Sequence, residues 1–226
     1  MAIHFVESEF NPDIDDLLPR LGLDADSEEA EDFIVLLEKM RPLAKPKAAF
    51  MDVPARADPE SGEVEVGGVS FRSRVLAGNL AGKDTVWPHL ATCGRELYDF
   101  TMAVPDPFER YWCDEIMASA LAQARVGMMQ RLEKEFHPGK VASMGPGSLT
   151  DWPIHQQGPL FRLLDECAAF TGVELTPTML MIPNKSVSGI LFPSEKGWES
   201  CMMCPREKCP NRRAKYDAAA VAALDA

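Results

Sequence analysis

A stripe of apolar residues, one at every fourth position, constrains the fold of this chain more than any other sequence feature. It consists of Phe108, Trp112, Ile116, Ala120, Ala124, Met128, Leu132 and Phe136. This spacing predicts an amphipathic helix over about 107–136, with the stripe packed against a core. Asp106 can cap the start of the helix, Pro107 suits its first position, and Pro138-Gly139 stops it. The rest of the chain must therefore supply a surface that covers one side of a long helix.

A second local signal lies in the first half of the chain. Val64, Val66, Val69 and Phe71 alternate with polar residues around Gly67-Gly68. Apolar alternation on both sides of a two-residue glycine turn predicts a β-hairpin.

Weaker patterns complete the sequence-based assignment of secondary structure. Helices are predicted at about 27–40 and 159–170, and further strands at 48–53, 84–92, 140–143, 179–182 and 186–192. Residues 1–26 are acidic and contain two prolines, so we expect them to be irregular. Strands and helices are interspersed without a βαβ rhythm, which predicts an α+β fold with a largely antiparallel sheet flanked by helices.

The net charge of the chain, −12, restricts its partners. A nucleic-acid backbone requires a positive surface, and an acidic protein is also attracted weakly to anionic membranes. The N-terminal sequence lacks the pattern of a signal peptide, and no apolar run is long enough for a membrane-spanning helix. We therefore expect a cytoplasmic location and no nucleic-acid or membrane partner. In that compartment the six cysteines should be thiols or metal ligands.

Three of the cysteines are clustered near the C-terminus. Cys201, Cys204 and Cys209 form a C-x2-C-x4-C pattern, whose short spacing lets thiolates converge on one metal ion. The surrounding segment is rich in arginine and lysine, which lowers thiolate pKa values and offsets the charge of a metal–thiolate centre. The pattern predicts an iron–sulfur cluster or a zinc site. Because three ligands are usually one too few, Cys93, in a predicted loop, is the candidate for the fourth.

Two other interpretations of this cluster remain open. Cys201 and Cys204 could form a redox dithiol, although the βαβ context of that motif is missing. Alternatively, all three could be free thiols in a solvated basic loop.

No residue is identified as a catalytic acid, base or nucleophile. Residues 78–83 are similar to a phosphate-binding loop, but they are one residue short between the glycines, and an aspartate takes the place of the required serine or threonine. This segment is interpreted as a turn between two elements. The four histidines show no metal-ligand spacing.

Three segments in the second half of the chain carry a family resemblance. They read Ser-Met-Gly-Pro-Gly-Ser at 143–148, Gly-Val-Glu-Leu-Thr at 172–176 and Lys-Ser-Val-Ser-Gly at 185–189. In this order they resemble the activation domain of vitamin-B12-dependent methionine synthase. Over residues 84–213 the chain is also similar to free-standing, corrinoid-associated members of that family, which have a C-terminal cysteine cluster.

The resemblance implies a fold and a set of binding residues. In the family, the domain binds S-adenosylmethionine and caps the cobalamin of a neighbouring module, where inactive cobalt is reduced and then methylated. The ligand-facing loop would contain four residues, Ser143, Gly145, Gly147 and Ser148. The adjacent strand would contribute Lys185, Ser186 and Ser188. Small residues in such a loop let the backbone approach a ligand closely.

This chain departs from the family pattern at two positions. The family has arginine in place of Ser143 and tyrosine in place of Ser148. An arginine would hold the carboxylate of S-adenosylmethionine by a bidentate bond, which serine cannot replace. Binding of S-adenosylmethionine in the usual way is therefore doubtful for this chain.

These observations together predict a single domain and an accessory function. Residues 1–83 would form its N-terminal helix and hairpin region, 84–195 the activation-domain-like core, and 196–226 the cysteine-rich segment and tail. The chain would dock on a corrinoid-binding protein or methyltransferase and help to reactivate its cobalt, with an iron–sulfur centre as an electron donor. The alternatives are a non-catalytic corrinoid-protein adaptor or chaperone with structural zinc, and a stand-alone S-adenosylmethionine-binding methyltransferase.

Overall fold

A computed structural model describes residues 1–195, 197–209 and 212–225. The strands are β1 (Ala2–Glu7), β2 (Lys47–Asp58), β3 (Glu63–Val66), β4 (Val69–Arg72), β5 (Thr85–Thr92), β6 (Val141–Met144), β7 (Glu174–Leu175), β8 (Met181–Ile182) and β9 (Ser186–Pro193). The α-helices are α1 (Ile14–Leu21), α2 (Glu28–Met40), α3 (Arg74–Leu80), α4 (Arg95–Ala103), α5 (Pro107–Phe136), α6 (Gln157–Leu163), α7 (Asp165–Thr171) and α8 (Ala218–Asp225).

Seven of these strands form one antiparallel sheet. Its order is β4-β3-β2-β5-β9-β6, and β1 pairs with β2 along the same edge as β3 but at the other end of β2. β7 and β8 form a separate two-stranded hairpin. The predicted α+β fold with a largely antiparallel sheet is confirmed.

Helices cover both faces of the sheet. Along β2, Ala48 and Phe50 pack on the side of α5, whereas Ala49 and Met51 face the side of α3, α6 and α7. This alternation follows from the two-residue period of a strand. Since both faces of this part of β2 are buried, residues 48–51 form a continuous apolar run in the sequence.

A second apolar cluster lies beside the sheet and consists mainly of helices. It joins α1, α2, α4 and the first half of α5, with Phe33 and Leu37 among its fully buried residues. The two halves of α5 therefore pack against different partners. The first half contacts other helices, and the second half contacts the sheet through Ala124, Met128 and Leu132.

The two strongest sequence signals are confirmed. Helix α5 begins and ends at the predicted residues, and the Asp106 carboxylate accepts backbone N–H groups at its start, 2.7 Å from that of Phe108. The hairpin of β3 and β4 turns at Gly67 and Gly68, whose φ angles are +57° and +82°. Positive φ at both central residues is what a type I′ turn requires.

Three other sequence predictions are wrong. Residues 1–26 are not irregular, because they contain β1 and α1, which includes Pro19. Residues 78–83 are not simply a turn, since Gly78 lies inside α3, which Ser73 caps. The helix predicted at 159–170 is two helices, interrupted at Leu164.

Among the described residues, no helix combines the length and the apolar character that crossing a membrane requires.

Candidate ligand-binding cleft

A cleft of about 640 Å³ opens where β6 leaves the sheet. β6 pairs with β9 only over Ile190–Pro193, and beyond Met144 the chain turns away. The first half of β9, Ser186–Gly189, therefore has a ladder partner only on its other side, in β5. A strand edge that loses its neighbour leaves backbone groups free for a ligand or a partner.

Most of the residues predicted from the sequence line this cleft. Ser143, Gly145 and Ser148 come from β6 and the following loop, and Ser186 and Ser188 come from β9. The remaining walls come from other parts of the chain, with Tyr98, Arg125, Ile154, Gln157, Thr176, Met179, Leu180, Met181, Ile182, Asn184, Ser200 and Arg213 among the lining residues.

The two most specific motifs of the family resemblance interlock at the floor of the cleft. A Cβ added at Gly145 would lie 2.6 Å from the carbonyl oxygen of Ser188, and one added at Gly189 would lie 2.5 Å from that of Met144. Both distances are too short for any side chain. The glycines are thus required because two backbones cross closely here. The sequence suggested that Gly145 lets the backbone approach a ligand closely. The crossing of the two backbones already explains why this residue is glycine.

The loop that follows is held in place by its own hydrogen bonds. The Gly147 N–H donates to the carbonyl oxygen of Trp152 at 2.7 Å, and the Ser148 hydroxyl donates to that of Gly145 at 2.6 Å. Gly147 has a φ of +83° and packs against Ile154, so it also has a structural reason to be glycine. Gly147 and Ser148 are nevertheless exposed, so the loop remains accessible from outside.

Lys185 does not line the cleft with the neighbouring serines. Its ammonium group pairs with the Asp114 carboxylate of α5 at 2.6 Å, and its carbonyl oxygen accepts the Cys93 N–H at 3.1 Å. These contacts make Lys185 a link between β9 and the rest of the fold.

A buried amide lies in the wall of the cleft. Gln157 is only 3% exposed, and its Nε2 donates to the Ser188 hydroxyl at 2.6 Å, while its Oε1 has no hydrogen-bond partner among the described residues. The side-chain amide of Gln157 can be placed either way round. In both orientations, one of its two polar atoms has no hydrogen-bond partner. A buried polar atom without a partner is costly for the folded protein.

The cleft is electropositive although the chain is strongly acidic. None of the described residues that line it is an aspartate or glutamate. Arg213 pairs with Glu199 at 2.9 Å, just outside the lining. The charge of Arg125 also acts on His89, which lies under α5. Burial and, to a smaller extent, the positive charge of Arg125 lower the pKa of His89 to about 3.

The cysteine-rich segment lies beside this cleft. Ser200 and Arg213, which flank the Cys201–Cys209 pattern, are both lining residues. The Arg212 guanidinium donates to the carbonyl oxygens of Cys201 at 2.9 Å and Cys204 at 3.1 Å, and so holds the segment in a compact turn. The structure thus places side by side two segments that the sequence patterns indicated only separately.

The thiols differ in their surroundings. A hydrogen bond from the Arg213 backbone N–H lowers the pKa of Cys201, which suits a thiolate. Burial raises the pKa of Cys93 to about 12, and its side chain lies in the helical cluster. In the part of the chain that the structure describes, no three His, Cys, Asp or Glu side chains converge on a point where a metal could bind. An iron–sulfur or zinc site that includes Cys93 therefore stays a prediction.

These surroundings predict which thiols react in the folded, metal-free protein. Alkylation with iodoacetamide should label Cys201, Cys204 and Cys209, which are partly exposed, with Cys201 fastest. The three buried thiols, Cys93, Cys113 and Cys167, should react only after denaturation, because burial raises their pKa values to about 11 or 12. Peptide mass spectrometry over time would check this order. Native labelling of Cys93 at the rate of Cys201 would contradict it.

The fold and the cleft together define a class of protein. This is an α+β domain in which a strand edge, a Pro-Gly loop and three helices surround an open, electropositive cleft. Its fold is similar to that in a crystal structure of the MetH reactivation domain bound to AdoHcy, with a TM-score of 0.59 and 16% sequence identity. The match covers 88% of this chain and 81% of that one. At this identity, the likeness shows the fold.

Sequence-level comparisons give no further relatives. No family model matches the chain, and no curated protein matches it. The fold similarity therefore rests on the three-dimensional arrangement.

Proposed function

We propose that this chain is an accessory protein of corrinoid-dependent methyl transfer. It docks on a corrinoid-binding protein and assists the reductive reactivation or methylation of its cobalt. The observation that carries the proposal is the cleft, which lies on a MetH reactivation-domain fold and is lined by Ser143, Gly145, Ser148, Ser186 and Ser188. Gly145, Ser186 and Ser188 match the motifs on which the sequence resemblance rests, whereas Ser143 and Ser148 are the two positions at which the chain departs from them.

The rim of the cleft supports docking of a macromolecule. Leu180 is 66% exposed and Ile154 is 49% exposed, and they come from different loops beside the opening. Large apolar side chains exposed next to a polar cleft are typical of a protein interaction site. A corrinoid protein would cover these side chains and present its cofactor to the cleft.

The cleft would also hold a small ligand of the AdoHcy type. Its volume of about 640 Å³ lies within the range of small-molecule sites. S-adenosylmethionine, when bound, supplies the methyl group. The protein's own residues would bind it, orient it and exclude water.

The docking proposal is tested by capture of a corrinoid-binding protein from the same organism on the immobilised chain. Replacing Leu180 with aspartate should lower the affinity about tenfold or more, because a charge would be buried at the interface. Val35→Asp is the matched control, since Val35 is 69% exposed on α2, outside the cleft lining, and its substitution should leave capture unchanged. Equal capture of both variants, or no capture by the unaltered chain, would contradict the proposal.

Cobalt absorption spectroscopy then distinguishes a reactivator from an adaptor. With a reductant and S-adenosylmethionine, addition of the chain should convert the inactive Co(II) corrinoid to the methylated form. Capture without any spectral change would instead indicate the non-catalytic adaptor.

A further inference from the structure

Arg125 is an unpaired positive charge in the wall of the cleft. It projects from α5 next to Ala124, which packs against the sheet and fixes this part of the helix. Among the described residues, no carboxylate lies within ion-pairing distance of its guanidinium, although the chain has a net charge of −12. The two neighbouring cations, Lys185 and Arg213, are both paired.

We infer that Arg125 binds the carboxylate of an amino-acid-bearing nucleoside of the AdoHcy type. Arg125, on helix α5, would thus make the interaction that Ser143, on β6, cannot make. This inference rests on the proposed function, because it assigns a ligand group to the same cleft.

The chemistry of the cleft favours an amino acid over a simple anion. A guanidinium group binds a carboxylate through two parallel N–H···O bonds, which gives both affinity and orientation. The ammonium group of an α-amino acid in turn needs acceptors, and the hydroxyl-bearing Ser143, Ser148 and Ser186 are among the lining residues. A guanidinium and hydroxyl groups in one cleft are the groups that bind the two charged ends of an amino-acid tail.

The inference explains how the chain can bind such a ligand although Ser143 replaces the family's arginine. Ser143 lies on the same wall as Gly145, where the backbones of β6 and β9 cross. Arg125 approaches from the helix that covers this side of the sheet. A long side chain from α5 can therefore reach a ligand group that a short side chain on β6 cannot.

The test is calorimetric titration of the full chain with two nucleoside thioethers. AdoHcy has the amino-acid tail, and 5′-methylthioadenosine lacks it. Replacing Arg125 with methionine should weaken AdoHcy binding about tenfold to hundredfold, which is the range for a lost charge-assisted hydrogen bond. Binding of 5′-methylthioadenosine should change less than about twofold. Arg131→Met is the matched control, because Arg131 lies on the same helix outside the cleft lining, paired with Glu135.

The outcomes separate this inference from the proposed function. If Arg125→Met weakens both ligands equally, or neither, Arg125 does not bind the carboxylate and the inference is overturned. It is also overturned if the unaltered chain binds neither ligand at millimolar concentration. Capture of a corrinoid protein involves no nucleoside, so that experiment decides the proposed function independently.

Discussion

Replacing Gly189 with alanine is expected to destabilise the protein by about 3 kcal/mol. The new Cβ would lie 2.5 Å from the carbonyl oxygen of Met144 and 3.1 Å from its carbonyl carbon. Both atoms belong to the backbone, so they cannot move aside as the end of a flexible side chain could. The strain must separate β6 from β9, which would also open the floor of the cleft.

Chemical denaturation of the two proteins would measure this loss. Gly78→Ala is the matched control, because Gly78 lies inside α3 and an added Cβ would meet nothing within 4 Å. Alanine is a better helix former than glycine, so this control should gain up to about 1 kcal/mol. If Gly189→Ala were as stable as Gly78→Ala, the close crossing of β6 and β9 would be refuted.

The crossing shows where sequence reasoning succeeds and where it stops. The Pro-Gly loop and the Lys-Ser-Val-Ser-Gly segment at 185–189 are recognisable as motifs in the sequence, and residues from both line the cleft. Their mutual contact joins residues more than forty positions apart in the sequence. No local pattern encodes that contact, so the physical reason for Gly145 and Gly189 could be found only in the structure.

The same difference between local patterns and long-range contacts explains which secondary-structure predictions are confirmed and which are wrong. Helix α5 could be predicted at both ends because its cap, its first proline, its apolar stripe and its stop are all local. β1 could not, because an edge strand with a mixed burial pattern is stabilised by pairing with β2, some forty residues away. The sequence does not predict α1 because proline usually ends a helix, whereas this helix contains Pro19 between the Asp13 cap and Gly22.

The sequence predicts only the part of the candidate site that the strands contribute. Sequence motifs indicated the residues from β6 and β9, but not Arg125 or Gln157, which come from α5 and α6. Arg125 could be placed only on the polar side of its helix, and nothing local distinguishes it from other solvated arginines. Tertiary packing brings these side chains to the strand edge. The position of the cysteine-rich segment beside the same cleft likewise depends on packing.

His89 should make the stability of the protein fall steeply in acid. Its pKa is about 3 in the folded protein, mainly because of burial, against an ordinary value of 6.5. Below pH 6.5 the His89 imidazole binds a proton in the unfolded chain but not in the folded protein, so acid favours unfolding. Above pH 6.5 the imidazole is neutral in both states and has no such effect. The loss grows by about 1.4 kcal/mol per pH unit and reaches about 5 kcal/mol near pH 3.

Denaturation at a series of pH values between 7 and 4.5 would isolate this contribution when His89→Gln is compared with the unaltered chain. Glutamine has a similar volume and does not titrate, so the variant should lose less stability as the pH falls. Carboxylates titrate in both proteins and cancel from the difference, which should reach about 2 to 3 kcal/mol at pH 4.5. Because the difference depends on pH, it separates titration of His89 from a change in packing, which would shift both ends of the series equally. A constant difference would mean that His89 takes up a proton equally well in the folded and unfolded chain, contrary to its burial beneath Arg125.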